Sequence, residues 1–246
     1  MSHHDEYRQW PFLTQEEFEL ACAFFDQKYI RAKLGPKRRM LKIRPRRAAT
    51  TGASFIEILR LIQLPEDEDD LSRALEKLGG DVSTSECEME IDSRSEDADE
   101  EALRPNSIVP PGPGLPPQYA LYSHQPYVTY EIHLHQTYNV PTLWFTLHDL
   151  PMGEPSFDLD SVYRYLVPDE FKSRLRAAGI TGGISAAPHP ITDVPSFFIH
   201  PCQTKEAMEN FDCPIADYLM VWLGLVGGCV GLWVPREMAI DDAGNQ

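Results

Sequence analysis

Apolar residues first recur at helical spacing. Phe18, Cys22, Phe25 and Tyr29 stand at i, i+4, i+7 and i+11, one stripe on a helix of about four turns. Thr14 followed by Glu17 has the form of a capping box and marks the start, and Gly35-Pro36 marks the end. Cys22 lies on the stripe and reads as core. A period of two then takes over. "RMLKIRPRR" reads as a short strand, whereas "SFIEILRLIQL" satisfies both periods and leaves strand and helix open. The clearest alternation is in "YVTYEIHLHQTYNVPTLWFTLHD". Val128, Tyr130, Ile132 and Leu134 alternate with Thr129, Glu131, His133 and His135, and Leu143, Phe145 and Leu147 resume the pattern past the turn. That predicts a hairpin with one buried face.

Residues 156–179 read as one or two amphipathic helices broken at Pro168 and stopped by Gly179. Pro188, Pro190 and Pro195 predict an extended path without a regular ladder, since proline supplies no donor. Phe197, Phe198 and Ile199 make a brief apolar strand, and "TKEAMENF" starts a helix. "CPIADYLMVWLGLVG" predicts a last helix with Pro214 in its first turn, and "CVGLWVP" a closing strand. The fold class is α+β: an antiparallel sheet flanked by helices. The uncharged run 218–234 is near the lower limit for a bilayer span. Its four glycines and lack of immediate basic flanks favour a core element without stable membrane insertion.

The chain has 246 residues, enough for one sizeable core, and a net charge of −16, which argues against a nucleic-acid partner. The acid is concentrated in 66–101. "PEDEDDLSRALEKLGG" offers a short helix with Leu71, Leu75 and Leu78 on one side. From about 79 to 117 the chain is acidic, then proline-rich, a composition that predicts a disordered insertion. The expected organisation is a single domain over 1–246 interrupted there. The basic block 37–47 reads as a solvated strand face for an acidic partner, or as a phosphate or membrane contact. Five cysteines, Cys22, Cys87, Cys202, Cys213 and Cys229, include no C-x-x-C pair. With no signal-peptide pattern in "MSHHDEYRQW", they read as reduced thiols in the cytoplasm. His124, His133, His135 and His148 cluster in sequence, and His133 and His135 share a strand face. No third ligand is identifiable, so no metal is assigned, and no cofactor is implied.

Cys202 follows Pro201, where the chain must leave its strand. The next helix would point free N–H groups toward the sulfur, and His200 lies on the same side of an extended chain. Residue types alone leave Cys202 open between an inert buried sulfur and a nucleophile. Cys213 and Cys229 have apolar neighbours and read as core. A Cys–His protease would need a base such as His148, with Asp149, or His189, but no pattern selects them.

"IHPCQTKEAM", together with "YEIHLHQTYNVPTLWF" upstream and "YLMVWLGLVGGCVGLWVP" downstream, resembles the autophagy-related protein 10 family of ubiquitin-like-conjugating enzymes. The resemblance covers about residues 127–235. The related autophagy-related protein 3 family shares His-Pro-Cys but continues differently from Gln203-Thr204. The resemblance implies a ubiquitin-conjugating-enzyme-like core. It also implies that Cys202 accepts the modifier autophagy-related protein 12 as a thioester from the activating enzyme autophagy-related protein 7 and passes it to a lysine of autophagy-related protein 5. The alternatives are an inert adaptor of the same fold and the related lipid-conjugation enzyme autophagy-related protein 3. The His-Pro-Asn segment of ordinary ubiquitin-conjugating enzymes is missing, and "HPI" at 189–191 stands in its stead. Candidates to support the reaction are His200, Thr204, Tyr138, Asn139 and His189, unranked. The family often has proline in the segment corresponding to "VGGCV", where this chain has Gly228-Cys229.

Overall fold

The computed structural model describes residues 3–63, 125–179 and 183–239. These stretches belong to one unit of the chain, and residues 64–121 lie outside the described residues. The helix expected at Leu71–Leu78, the insertion at 79–117, Cys87 and His124 lie outside them too.

Helix α1 (Gln15–Arg31) opens with the expected capping box. Thr14 accepts the backbone N–H of Glu17, whose carboxylate accepts the N–H of Thr14 at 2.6 Å. Phe18, Cys22, Phe25 and Tyr29 are all buried. The helix stops at Arg31, ahead of Gly35-Pro36. Part of the reason is Arg38, in the single turn α2 (Lys37–Met40), whose guanidinium donates to the carbonyls of Tyr29, Ile30 and Ala32. An arginine here satisfies carbonyls that a helix end leaves without partners. The basic block is thus partly consumed inside the domain, with Lys37 paired to Glu237 and Arg46 to Glu57.

Among the described residues the sheet has six strands: β1 (Leu41–Arg47), β2 (Ser54–Leu61), β3 (Tyr127–Leu134), β4 (Pro141–His148), β5 (Ile184–Pro188) and β6 (Pro195–Ile199). Their order is β1-β2-β3-β4-β6-β5, antiparallel throughout. The ambiguous "SFIEILRLIQL" is therefore strand. Its Ile56 and Ile58 face Ile132 and Tyr130, and all four are fully buried. The helix period there is incidental, because pairing on both sides decides the matter.

Three expectations need correction. The proline-rich stretch 188–195 does not run free of a ladder: β5 and β6 pair from Ile184↔Ile199 to Pro188↔Pro195. Its prolines close one strand and open the next, places where a missing N–H costs little, and Pro190 lies in the connecting turn. Pro214 does not open the last helix. It starts a turn, with the Asp217 N–H bonded to its carbonyl, before α6 (Tyr218–Val226). "CVGLWVP" is not a strand. Gly227–Val230 form a 3-10 turn that ends at Gly231 in the left-handed region, φ 68°. Two shorter helices, α3 (Leu159–Tyr165) and α4 (Asp169–Ala178), flank Pro168 as expected, and Gly179 caps the second with φ 61°.

Helices α1 and α6 cover one face of the sheet, and Phe18, Phe25, Tyr218 and Trp222 pack there against Ile56, Ile132 and Phe145 in one core. The run 218–234 is divided between α6 and this core. Among the described residues no helix is long and apolar enough to cross a membrane.

Two glycines of the last helix region test the packing in opposite senses. A Cβ on Gly227 would lie 2.5 Å from the Leu232 carbonyl oxygen, so Gly227→Ala should destabilise by about 1–3 kcal/mol in chemical denaturation. A Cβ on Gly224 meets nothing within 4 Å, and Gly224→Ala should be neutral or stabilise by up to ~1 kcal/mol.

Candidate active site

Strand β6 delivers Cys202. Phe197 turns into the core and stacks on Phe145, while Phe198 lies on the opposite face, stacked on Trp144 at 4.6 Å. His200 makes the last ladder bond, from its N–H to the Gly183 carbonyl, and the chain then enters a 3-10 turn over Pro201–Gln203. Proline's fixed φ suits that first position. The Cys202 backbone N–H donates to His200 Nδ1 at 3.2 Å, and the Thr204 N–H to the Pro201 carbonyl. Cys202 thus sits inside a turn capped by the side chain two residues before it, with Pro201 buried beneath and the cysteine partly exposed.

This differs from the expected helix start. The following helix α5 (Thr204–Met208) has only five residues and begins beyond the 3-10 turn. The group nearest in chain to hold the turn is His200. Accepting through Nδ1, its neutral ring carries its proton on Nε2.

Around His200 the structure assembles a ring cluster. Tyr138, 42% exposed in the β3–β4 turn, meets it edge-on at 6.0 Å, and His135 packs on Tyr138 at 4.8 Å. Nδ1 of His135 accepts the N–H groups of Thr137 and Tyr138, so the histidine shapes the turn that presents the tyrosine. Burial, with His200 adding to it, pulls the pKa of His135 below its ordinary value. The sequence offers His135 only as a candidate metal ligand. The signal for its actual position is a histidine followed by a tight turn, which alternation alone does not distinguish.

The other candidates disperse. Asn139 is the left-handed turn residue, φ 52°, and its carbonyl accepts the Leu13 N–H at 2.7 Å. Thr204 is buried in the first turn of α5. His189 is buried, and both its ring nitrogens have partners away from Cys202. His148 stacks on Tyr127. Extending the antiparallel register Trp144↔Phe198, His148 falls opposite position 194 and His200 opposite Thr142. Six residues along a strand are about 20 Å, too far for a base to reach Cys202. The described cysteines other than Cys202 are held as thiols by burial: Cys22 is pushed up to about 12, and Cys213 and Cys229 to about 11.

A second cluster lies on the same outer sheet face. It joins His133 not to His135 but to Glu131 and His189. One oxygen of Glu131 lies 2.7 Å from His133 Nε2 and 3.3 Å from His189 Nε2. Nδ1 of His189 accepts the N–H groups of Ile191 and Thr192, which places its neutral proton on Nε2, directed at the carboxylate. A cation on that Nε2 would need the proton on Nδ1, facing two backbone donors, so the trio is built as a hydrogen-bonded unit. Burial alone would raise the Glu131 pKa, but the bonds from His133 and His189 outweigh it and hold the carboxyl at about 2. Burial lowers His133 against the opposing pull of Glu131. A cleft of about 630 Å³ opens beside the trio, lined in part by His133, His135, Thr142, Trp144 and Ile191.

Residues 17–237 match the family described as the autophagocytosis associated protein, active-site domain. The chain is 46% identical over 244 residues to the ubiquitin-like-conjugating enzyme ATG10 of Gibberella zeae, covering 94% of this chain and 97% of that protein. Ubiquitin-like-conjugating enzyme ATG10 of Homo sapiens is 32% identical over 124 residues, 46% of this chain and 53% of its own. Its counterpart in Arabidopsis thaliana is 33% identical over 121 residues, 46% and 52%.

The trio sets a pH dependence of stability. Glu131 has a folded pKa near 2, below its ordinary 4.5, so it stabilises above that ordinary value and loses its contribution as pH falls toward 2. His133, lowered from 6.5, acts in the same direction, because below that value the unfolded chain takes up the proton more readily. Stability measured by urea titration should fall steadily from pH 6.5 to 2. Glu131→Gln should flatten the part of the curve below pH 4.5.

Proposed function

The chain belongs to the autophagocytosis-associated active-site family, as a ubiquitin-like-conjugating enzyme, and on that premise we propose that Cys202 is its nucleophile. The modifier is autophagy-related protein 12, carried as a C-terminal glycyl thioester on the activating enzyme autophagy-related protein 7. The Cys202 thiolate attacks that carbonyl, a new C–S bond forms, and the activating enzyme's thiolate leaves. A lysine amine of autophagy-related protein 5 then attacks the Cys202 thioester. The C–S bond breaks, Cys202 departs as thiolate, and the amine loses a proton as the isopeptide forms. Thioester exchange swaps like bonds, so the demands on the protein are positioning and a site for the transient oxyanion. This chemistry suits the reducing cytoplasm, and no cofactor enters it.

The observation that carries this reading is the setting of Cys202. It lies on a partly exposed turn whose backbone is held by the preceding histidine, whereas burial keeps Cys22, Cys213 and Cys229 protonated. His200 is a positioning residue here, since its Nδ1 is used on the Cys202 N–H and its Nε2–H faces away from that bond. Tyr138, exposed and in contact with His200, is the side chain best placed to assist the incoming amine or the oxyanion. Thr204 supports the turn from below. His189 and Asn139 serve the scaffold.

Incubation with activating enzyme, modifier and ATP, read on a non-reducing gel, tests the assignment. Cys202→Ser should trap a reduction-resistant oxyester and Cys202→Ala should form no adduct, while Cys213→Ser and Cys229→Ser keep a reducible thioester. A normal thioester on Cys202→Ala would remove the assignment.

A further inference from the structure

The hairpin that carries Cys202 is weakly attached by its ladder. β5 reaches the sheet only through β6, and β6 pairs with β4 at two positions, Trp144↔Phe198 and Phe145↔Phe197. Stacked rings on both faces and a Thr146–Ser196 hydroxyl bond at 3.4 Å hold this seam. The backbone ladder stops short of the hairpin's far end, whose position bears on the turn after β6. At that far end stands His189.

His189 makes most of the bonds that organise the β5–β6 connection, with Thr192 and Ser196 each adding one. Its backbone N–H donates to the Val194 carbonyl, its own carbonyl accepts from Asp193, and its Nδ1 accepts from Ile191 and Thr192. Its remaining ring nitrogen reaches past β4 to the Glu131 carboxylate on β3, with His133 bonded to the same oxygen. The ring also meets Trp144 edge-on at 5.4 Å, and Trp144 stacks on Phe198 two residues before His200. A chain of contacts therefore runs from Glu131 through His189 and Trp144 to the residue pair that leads into the Cys202 turn.

We propose that Glu131 is a positioning residue for the transfer reaction: through His189 it clamps the β5–β6 hairpin to the sheet and so holds the His200–Cys202 turn in its reactive geometry. This rests on the assignment of Cys202 as nucleophile. The carboxylate does two things that an apolar contact cannot. It bridges over a strand that is already paired on both edges, and it fixes the imidazole proton on Nε2. That proton position leaves Nδ1 open for the turn's two N–H groups. Reversal of the tautomer would put two donors against a third and open the connection.

Two measurements decide it. Imidazole nitrogen NMR of the full chain at neutral pH should show His189 with its proton on Nε2, and Glu131→Gln should disturb that signature. In single-turnover loading from modifier-charged activating enzyme, Glu131→Gln should slow the maximal rate by about tenfold to a hundredfold, with the half-saturating donor concentration little changed. Glu57→Gln, on the neighbouring strand position of the same face, is the control and should load like the parent. Wild-type His189 protonated on Nδ1, or an unchanged loading rate in Glu131→Gln, would overturn the proposal. So would micromolar zinc binding abolished by Glu131→Gln, because the trio would then be a ligand set. If Cys202→Ala still loads modifier, the nucleophile assignment fails separately, and the nitrogen spectra alone decide the clamp.

Discussion

The pairing of β6 with β4 is the constraint on which the candidate site depends. In a strand, neighbours point to opposite faces, so the sequence Phe197-Phe198 must divide its two rings between the core and the outer face. Phe197 fills the core beside Phe145, and Phe198 stacks on Trp144 outside. Both faces of this short seam are thus apolar and aromatic, which offsets its having only two register pairs. Two residues later the same alternation brings His200 out on the Phe198 side, where the Tyr138 turn and His135 await it. The location of Cys202 follows from where that seam ends and from Pro201, which cannot extend it.

Hydrogen bonds from buried tyrosines secure the rest of the frame to the helical layer. Tyr130 donates to the Val230 carbonyl at 2.7 Å, Tyr218 to the Pro11 carbonyl at 2.7 Å, and Tyr7 to the Cys213 carbonyl at 3.0 Å. Each bonds a carbonyl in irregular chain that no ladder would satisfy, and a buried carbonyl without a partner is costly. The 3-10 turn after α6 is held the same way. Gly231 adopts φ 68° with no room for a Cβ, which would fall 2.6 Å from the Leu166 carbonyl oxygen. A proline at Gly228-Cys229 is not required to make this turn, since glycine permits the close approach to the Trp233 ring.

Much of the scaffold was legible because its signals are local. The capping box of Thr14 and Glu17, the α1 stripe, the alternation of β3 and the stops at Pro168 and Gly179 each depend on a handful of neighbouring residues. The misreadings share a different cause. The prolines at 188 and 195 looked incompatible with a ladder because their effect depends on which end of a strand they occupy. "CVGLWVP" reads as a strand because it is a short apolar run, but only Val230 and Leu232 enter the core, at and just after a 3-10 turn, and Trp233 is exposed.

The amino-acid sequence by itself determined the α+β class, the helix and strand periods and the family resemblance that comparison bore out. It did so because propensity, periodicity and motif are properties of short windows. Only the tertiary structure decided which histidine meets which partner. His133 and His189 are 56 positions apart and share one Glu131 oxygen, and His135, two residues from His133, belongs to the other cluster beside His200. Those assignments rest on strand order and register, β3 against β4 and β4 against β6. Register is fixed by the long-range burial of both faces, which no short window contains.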